Sequence, residues 1–288
     1  MKKQALYWFI GGGVILSIIT SWYAFPTKNH QTSVFSWFEE PLVDPKSSLN
    51  LLGQSDIDSL YQYFYVDDFD DPTKRQQLEK LLGHSKIAKK DVYLLNGEAE
   101  WALDAEATHL IQYIHKIHDF QSKQEDASFI RGIVIDIEPH TLDEFQNNSD
   151  AIMQSFTQGL KRAYQVAHGY DLKVIVCLPY YLDTEGYLTE LETIIAEAAD
   201  EVAIMNYYRG LEIEHIETEV ALSVKYNKAI QTIYELQPAG SHGLTEMNTY
   251  HHLGLLAVSD NFEQLHAHYD YDIHLSYHEF NTLVELMK

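Results

Sequence analysis

The sequence predicts a (β/α)8 TIM barrel preceded by an N-terminal transmembrane segment. Beyond residue 33, short strand-like runs alternate with amphipathic stretches, an order that builds parallel strands with helices packed outside them. Eight such runs lie between Val34 and Tyr277, the number that closes a barrel. One of them, Gly132-Ile133-Val134-Ile135-Asp136-Ile137-Glu138, reads as a buried strand yet ends in two carboxylates. In barrels of this kind chemistry collects where the strands finish, so the acids sit at the expected place for an active site.

Taken in order, the chain opens with Lys2 and Lys3 ahead of a charge-free apolar run from Ala5 to Phe25. That is ~20 residues, enough to span a bilayer. Trp22-Tyr23-Ala24 is a poor cleavage site and no cysteine follows to carry a lipid, so residues 1–25 are expected to remain as an anchor, with secretion after cleavage as the alternative. Lys2 and Lys3 before the span, against only Lys28 just beyond it, place the body of the protein outside the cytoplasm by the positive-inside rule. A tether over 26–33 then leads into a single barrel domain over 34–288. With 288 residues, 45% hydrophobic and 22% charged, the chain has the make-up of one large globular domain. The formal charge of −23 argues against nucleic-acid or anionic-membrane partners, which need clustered Lys and Arg. The single cysteine, Cys177, excludes an intrachain disulfide and reads as core packing.

Strands are expected over Val34–Phe38, Ile57–Tyr65, Asp91–Asn96, Gly132–Glu138, Lys173–Pro179, Glu201–Tyr207, Ala229–Glu235 and Tyr271–Tyr277. Outer helices are expected over Pro72–Leu82, Ala105–Phe120, Ser149–Ala167, Leu188–Ala199 and Asn261–His268, where apolar residues recur three and four apart. Ile152, Phe156, Leu160 and Ala163 form one such stripe. In the fourth strand, side-chain alternation puts Ile133, Ile135 and Ile137 on one face and Val134, Asp136 and Glu138 on the other.

The run from Gly132 to Glu138 resembles the second half of the Asp-Gly-x-Asp-x-Asp-x-Glu signature of chitinase-like glycoside hydrolases of family 18. Met205-Asn206-Tyr207 is similar to the Met-x-Tyr-Asp motif of the same family, and the two motifs close the fourth and sixth strands, as they do there. The chain departs from the pattern at three positions: Arg131 and Val134 stand where Asp residues would be, and Tyr208 replaces the final Asp of the second motif. The resemblance implies that Glu138 is the general acid, that Asp136 tunes it and orients an N-acetyl group, and that Tyr207 donates to that group. In such enzymes the acetamido oxygen is the nucleophile, and the chemistry requires Glu138 protonated while Asp136 is charged.

A rival assignment stands beside this one. Glu138-Pro139 after the fourth strand and Glu235 after the seventh match the acid and nucleophile positions of two-carboxylate retaining glycosidases, with Gln231, Ile233 and Glu235 facing inward together. A structural ion pair of Asp136 and Glu138 with Arg131 or Arg209 is the non-catalytic reading of the same acids. Rim residues Trp37, Glu98, Trp101, Tyr180 and His278 are candidate substrate contacts. Asn206 is a further candidate, although alternation turns its side chain toward the helices or a loop. His251, His252, His266, His268, His274 and His278 crowd the C-terminal quarter in spacings that match no zinc motif, so neither a metal nor a cofactor is expected. The combined expectation is a cell-surface glycoside hydrolase whose partners are a polysaccharide or glycan, with N-acetylhexosamine-containing ones among the candidates, and the membrane that holds its N-terminal helix. The alternative from another class is a carbohydrate-binding barrel without turnover.

Overall fold

The structure, a computed structural model, describes residues 30–124 and 129–288. The expected membrane span and the first half of the tether lie outside the described residues. Among the described residues no helix is long and apolar enough to cross a membrane.

Eight parallel strands close into a barrel in sequence order. They are β1 (Thr32–Ser36), β2 (Ser59–Tyr63), β3 (Asp91–Asn96), β4 (Ile130–Ile135), β5 (Lys173–Pro179), β6 (Glu201–Met205), β7 (Ala229–Glu235) and β8 (Ile273–His278), the last pairing with β1. The helices are α1 (Glu40–Val43) and α2 (Pro45–Gln54) after β1, α3 (Pro72–Ala88), α4 (Thr108–Gln121), α5 (Phe145–His168), α6 (Leu188–Glu197), α7 (Glu217–Tyr226), α8 (Gly254–His268) and α9 (Phe280–Leu286). β3, β5 and β7 match the expected bounds. β1 starts two residues earlier than expected and ends at Ser36, so the tether reading of 26–33 fails at its end. Thr32 and Ser33 are polar but buried, and the barrel satisfies them: Thr32 N–H donates to Asp58 Oδ2 at 2.9 Å and the Ser33 hydroxyl to Gln231 Oε1 at 2.9 Å. Phe38, placed in that strand by the sequence reading, is half exposed at the mouth.

Four helices escaped the sequence reading for a physical reason, α1 because it is a single turn of four residues. α2 opens on Pro45 behind Asp44, whose side chain caps Ser47 N–H at 3.2 Å, but its apolar face is short. α7 buries Glu219, Val220 and Ser223, so its inward stripe is half polar and carries no apolar period. α9 is only seven residues long.

Each strand is covered on both faces, as a parallel barrel requires. The outer core between strands and helices holds Ile133, Ile135 and Ile137 with Ile152, Phe156, Leu160 and Ala163. Inside the barrel, Phe35, Tyr61, Tyr93, Leu95, Val134, Ile175, Cys177, Ala203, Met205 and Ile233 pack together. The interior is polar at two levels below the mouth. Gln231 binds Ser33 and Tyr61, and at the floor buried Glu201 takes Lys173 Nζ at 2.6 Å and His274 Nδ1 at 2.9 Å. Strand β4 is squeezed on both sides. A Cβ on Gly132 would lie 2.0 Å from the Lys173 carbonyl oxygen, and one on Gly97 2.1 Å from that of Asp136, so neither position accepts a side chain without moving backbone.

Candidate active site at the barrel mouth

The acids lie just past β4, which ends at Ile135. Asp136 N–H still donates to the Asn96 carbonyl of β3 at 3.1 Å, which keeps the strand's alternation running one step further. Beyond Glu138 the chain turns through Pro139, and Thr141 returns both its hydroxyl (2.8 Å) and its N–H (3.1 Å) to the Glu138 carbonyl. The two carboxyls therefore leave the same inward face onto a short, pinned segment.

They open into a cleft of about 960 Å³ at the C-terminal ends of the strands. Its walls include Trp37 from the end of β1, Glu98 after β3, Asp136 and Glu138, Tyr180 and Tyr181 after β5, Tyr207 after β6, Glu235 on β7 and His278 on β8. Two candidates are placed elsewhere. Asn206 is buried behind the wall, donating to the Glu212 carbonyl at 2.8 Å and to Thr232 Oγ1 at 3.3 Å, so it ties down the loop after β6 and does not face the cleft. Trp101 stacks on His109, ring centroids 6.2 Å apart, and packs against the outer core. Both follow from alternation and loop course, because a side chain one residue out of phase with Tyr207 must point at the helices.

Asp136 is partly buried, and its Oδ1 has no hydrogen-bond partner. Burial, then the charge of Glu138, push its carboxyl up to about 7, against smaller pulls from His278, from a hydrogen bond with the Cys177 thiol and from His140. Asp136 is the more enclosed of the two, so its charged form is the costlier one to hold. Glu138 lies nearer solvent, 3.2 Å from His140 Nε2. Neither arginine pairs with the acids: Arg131 binds Asp91 at 2.7 Å at the far end of the barrel, and Arg209 donates to the Glu246 carbonyl at 2.5 Å. The ion-pair reading is therefore set aside.

Glu235 is buried with both oxygens engaged. Oε1 accepts the Gln237 N–H at 2.7 Å, and Oε2 lies 2.8 Å from His278 Nδ1. On its other side, His278 Nε2 accepts the Trp37 indole N–H at 2.9 Å. Burial works to lower the His278 pKa, but the hydrogen bond and charge of Glu235, with Asp136 and Glu279, raise it overall. Burial, followed by the charges of Glu235, Asp136, Cys177 and Glu138, keeps the Tyr207 hydroxyl far above its usual value, so it remains a donor.

The sequence reading missed several wall residues. His140, Gln237, His242 and Asn248 all line the cleft, and Asn248 also anchors Tyr207 by donating to its carbonyl at 2.6 Å. Cys177, read as packing alone, contacts Asp136 as well. Its position two residues before the end of β5, on the inward parity, was the available signal. Tyr180 stacks on His215 with centroids 3.9 Å apart, which fixes one flank of the cleft. Among the described residues no group of His, Cys, Asp and Glu is arranged to hold a metal ion.

No family model matches the chain, and no curated protein does. Solved structures share its fold. A chitinase from Bacteroides thetaiotaomicron superposes with a TM-score of 0.58 at 11% identity, covering 89% of this chain and 94% of that one. A fungal beta-1,4-galactanase gives 0.57 at 12% identity, over 87% and 89% of the two chains. A GH18 chitinase from Pseudoalteromonas aurantia gives 0.54 at 10% identity, over 87% and 94%. These neighbours are glycoside hydrolases, and at such identities what the likeness shows is the common barrel.

Proposed function

We propose that the protein is a glycoside hydrolase that uses Glu138 as general acid and Asp136 as its partner, on a glycan containing N-acetylhexosamine. The observation that carries this reading is the pair itself: two carboxyls on one inward face at the barrel mouth, one enclosed and raised in pKa with an unpartnered Oδ1, the other open to a cleft. An acetamido N–H offered to Oδ1 would favour the Asp136 carboxylate, because a hydrogen bond to the charged form stabilises it. The proton then passes to Glu138, which delivers it to the glycosidic oxygen as the bond breaks. The acetamido oxygen attacks the anomeric carbon, with the Tyr207 hydroxyl as its donor, and Glu138 afterwards takes a proton from the water that completes hydrolysis. The resemblance of the two motifs to family 18 and the glycosidase neighbours support the same chemistry.

The retaining alternative would make Glu235 the nucleophile. Its two oxygens are committed to Gln237 and His278 and it is 3% exposed, which favours a supporting role. We propose further that residues 1–25 anchor the chain with the barrel facing outward, a reading supported by the apolar run from Ala5 to Phe25 behind Lys2 and Lys3.

Release of reducing ends from cell-wall, capsule and biofilm glycans by the full chain tests the proposal, with Glu138→Gln alongside. Loss of turnover by about 10²–10⁴-fold in the variant, with glycan binding kept, is the expected result. Binding without cleavage by the unsubstituted protein would instead make this a carbohydrate-binding barrel.

A further inference from the structure

A three-member chain crosses the seam where the barrel closes: the Trp37 indole N–H to His278 Nε2 at 2.9 Å, and His278 Nδ1 to Glu235 Oε2 at 2.8 Å. An indole nitrogen can only donate, so Nε2 must accept and carries no proton. Nδ1 then holds the single ring proton and gives it to Glu235. We propose that Trp37 is a tautomer lock: by occupying Nε2 it keeps His278 a neutral imidazole protonated on Nδ1, so that no cation forms beside the Asp136–Glu138 pair.

The surroundings explain why a lock has work to perform. His278 is faced by Glu235 from β7 and Asp136 from the end of β4, and is followed in the chain by Glu279, all acidic. The remaining neighbours, Phe35 and Trp37 from β1 and Tyr207 after β6, bring aromatic rings with centroids 6.0, 6.5 and 6.2 Å away. Left to these charges alone the imidazole would take a second proton. That proton would have to enter at Nε2, where it would point at the indole N–H, two donors set against each other. A cation at His278 would in turn pull the acid pair toward the doubly ionised state that can no longer donate a proton. Trp37 and His278 are thus positioning residues acting through Glu235 and Asp136.

The structural claim is independent of the proposed reaction; the consequence for the acid pair rests on it, and the experiment separates the two. Full-chain protein labelled with ¹⁵N-histidine is titrated by NMR from pH 5 to 8, the His278 signals being identified by their loss in His278→Gln. The unsubstituted protein is expected to show the neutral Nδ1–H form from pH 7 upward, against the charges that raise its pKa, and Trp37→Phe to take the second proton at a higher pH than the parent does. An imidazolium or Nε2–H signature in the unsubstituted protein at pH 7 overturns the lock, and this measurement needs no variant at position 37 to fold. On any glycan that is cleaved, the alkaline limb of the kcat profile should fall by about one pH unit in Trp37→Phe. An unmoved limb with a converted tautomer overturns the link to the acid pair. If no glycan is cleaved, the proposed function fails while the tautomer result stands on its own.

Discussion

Replacing Asp136 by Asn removes a charge that the folded protein holds at a cost. Burial and then the charge of Glu138 raise the carboxyl from 3.8 to about 7. A carboxyl with a higher pKa folded than unfolded binds its proton more tightly in the native state. Its stabilising contribution is therefore complete below pH 3.8 and is lost as the pH rises through 7. At ~1.4 kcal/mol for each pH unit, the full interval is worth ~4 kcal/mol by pH 8. Because one side of Asp136 meets the water of the cleft, about half of that, ~2 kcal/mol, is the expected effect. Urea unfolding of the full chain at pH 4 and pH 8, with and without Asp136→Asn, reads this directly. The variant should gain ~2 kcal/mol relative to the parent on going from the lower to the higher pH, and should lose turnover at both. A stability difference that is the same at both pH values would refute the reasoning, because it would mean that Asp136 ionises in the fold as easily as in the unfolded chain.

Two further outcomes follow from the same physics. Glu219 on α7 is fully buried with neither carboxyl oxygen partnered, and burial pushes it up to about 8. Its contribution is likewise complete below pH 4.5 and lost as the pH rises through 8, so Glu219→Gln should stabilise the protein by a few kcal/mol at pH 8.5 and hardly at all at pH 4.5, as read by urea unfolding. Gly132→Ala must drive β4 and β5 apart, since its Cβ would lie 2.0 Å from the Lys173 carbonyl oxygen; a loss of at least ~2 kcal/mol is expected, and an unchanged urea midpoint would show that the strands do not approach so closely.

Most of the architecture was legible along the chain because a parallel barrel is built from local periods. A two-residue alternation placed Val134, Asp136 and Glu138 inward and the three isoleucines outward, and both core layers are arranged in that way. The same parity turned Asn206 away from the cleft, where it binds Glu212 and Thr232. Helices with a full apolar stripe, such as α5, were visible for the same reason, whereas α7 hides a glutamate in its stripe and was not. Local pattern cannot report what meets across the closed sheet. Trp37 and His278 stand 241 residues apart and touch only because β8 returns to β1, and Glu235 joins them from 43 residues away. Nor could it report how far the Asp136 carboxyl is pushed up. That depends on how deeply each carboxyl sits and on which charges surround it, and both are properties of the assembled barrel. The sequence by itself thus determined the barrel and the inward face that bears the acids. The tertiary structure alone decided how deeply each acid sits, the company they keep and the hydrogen-bonded chain beside them, because those are set by contacts between strands far apart along the chain.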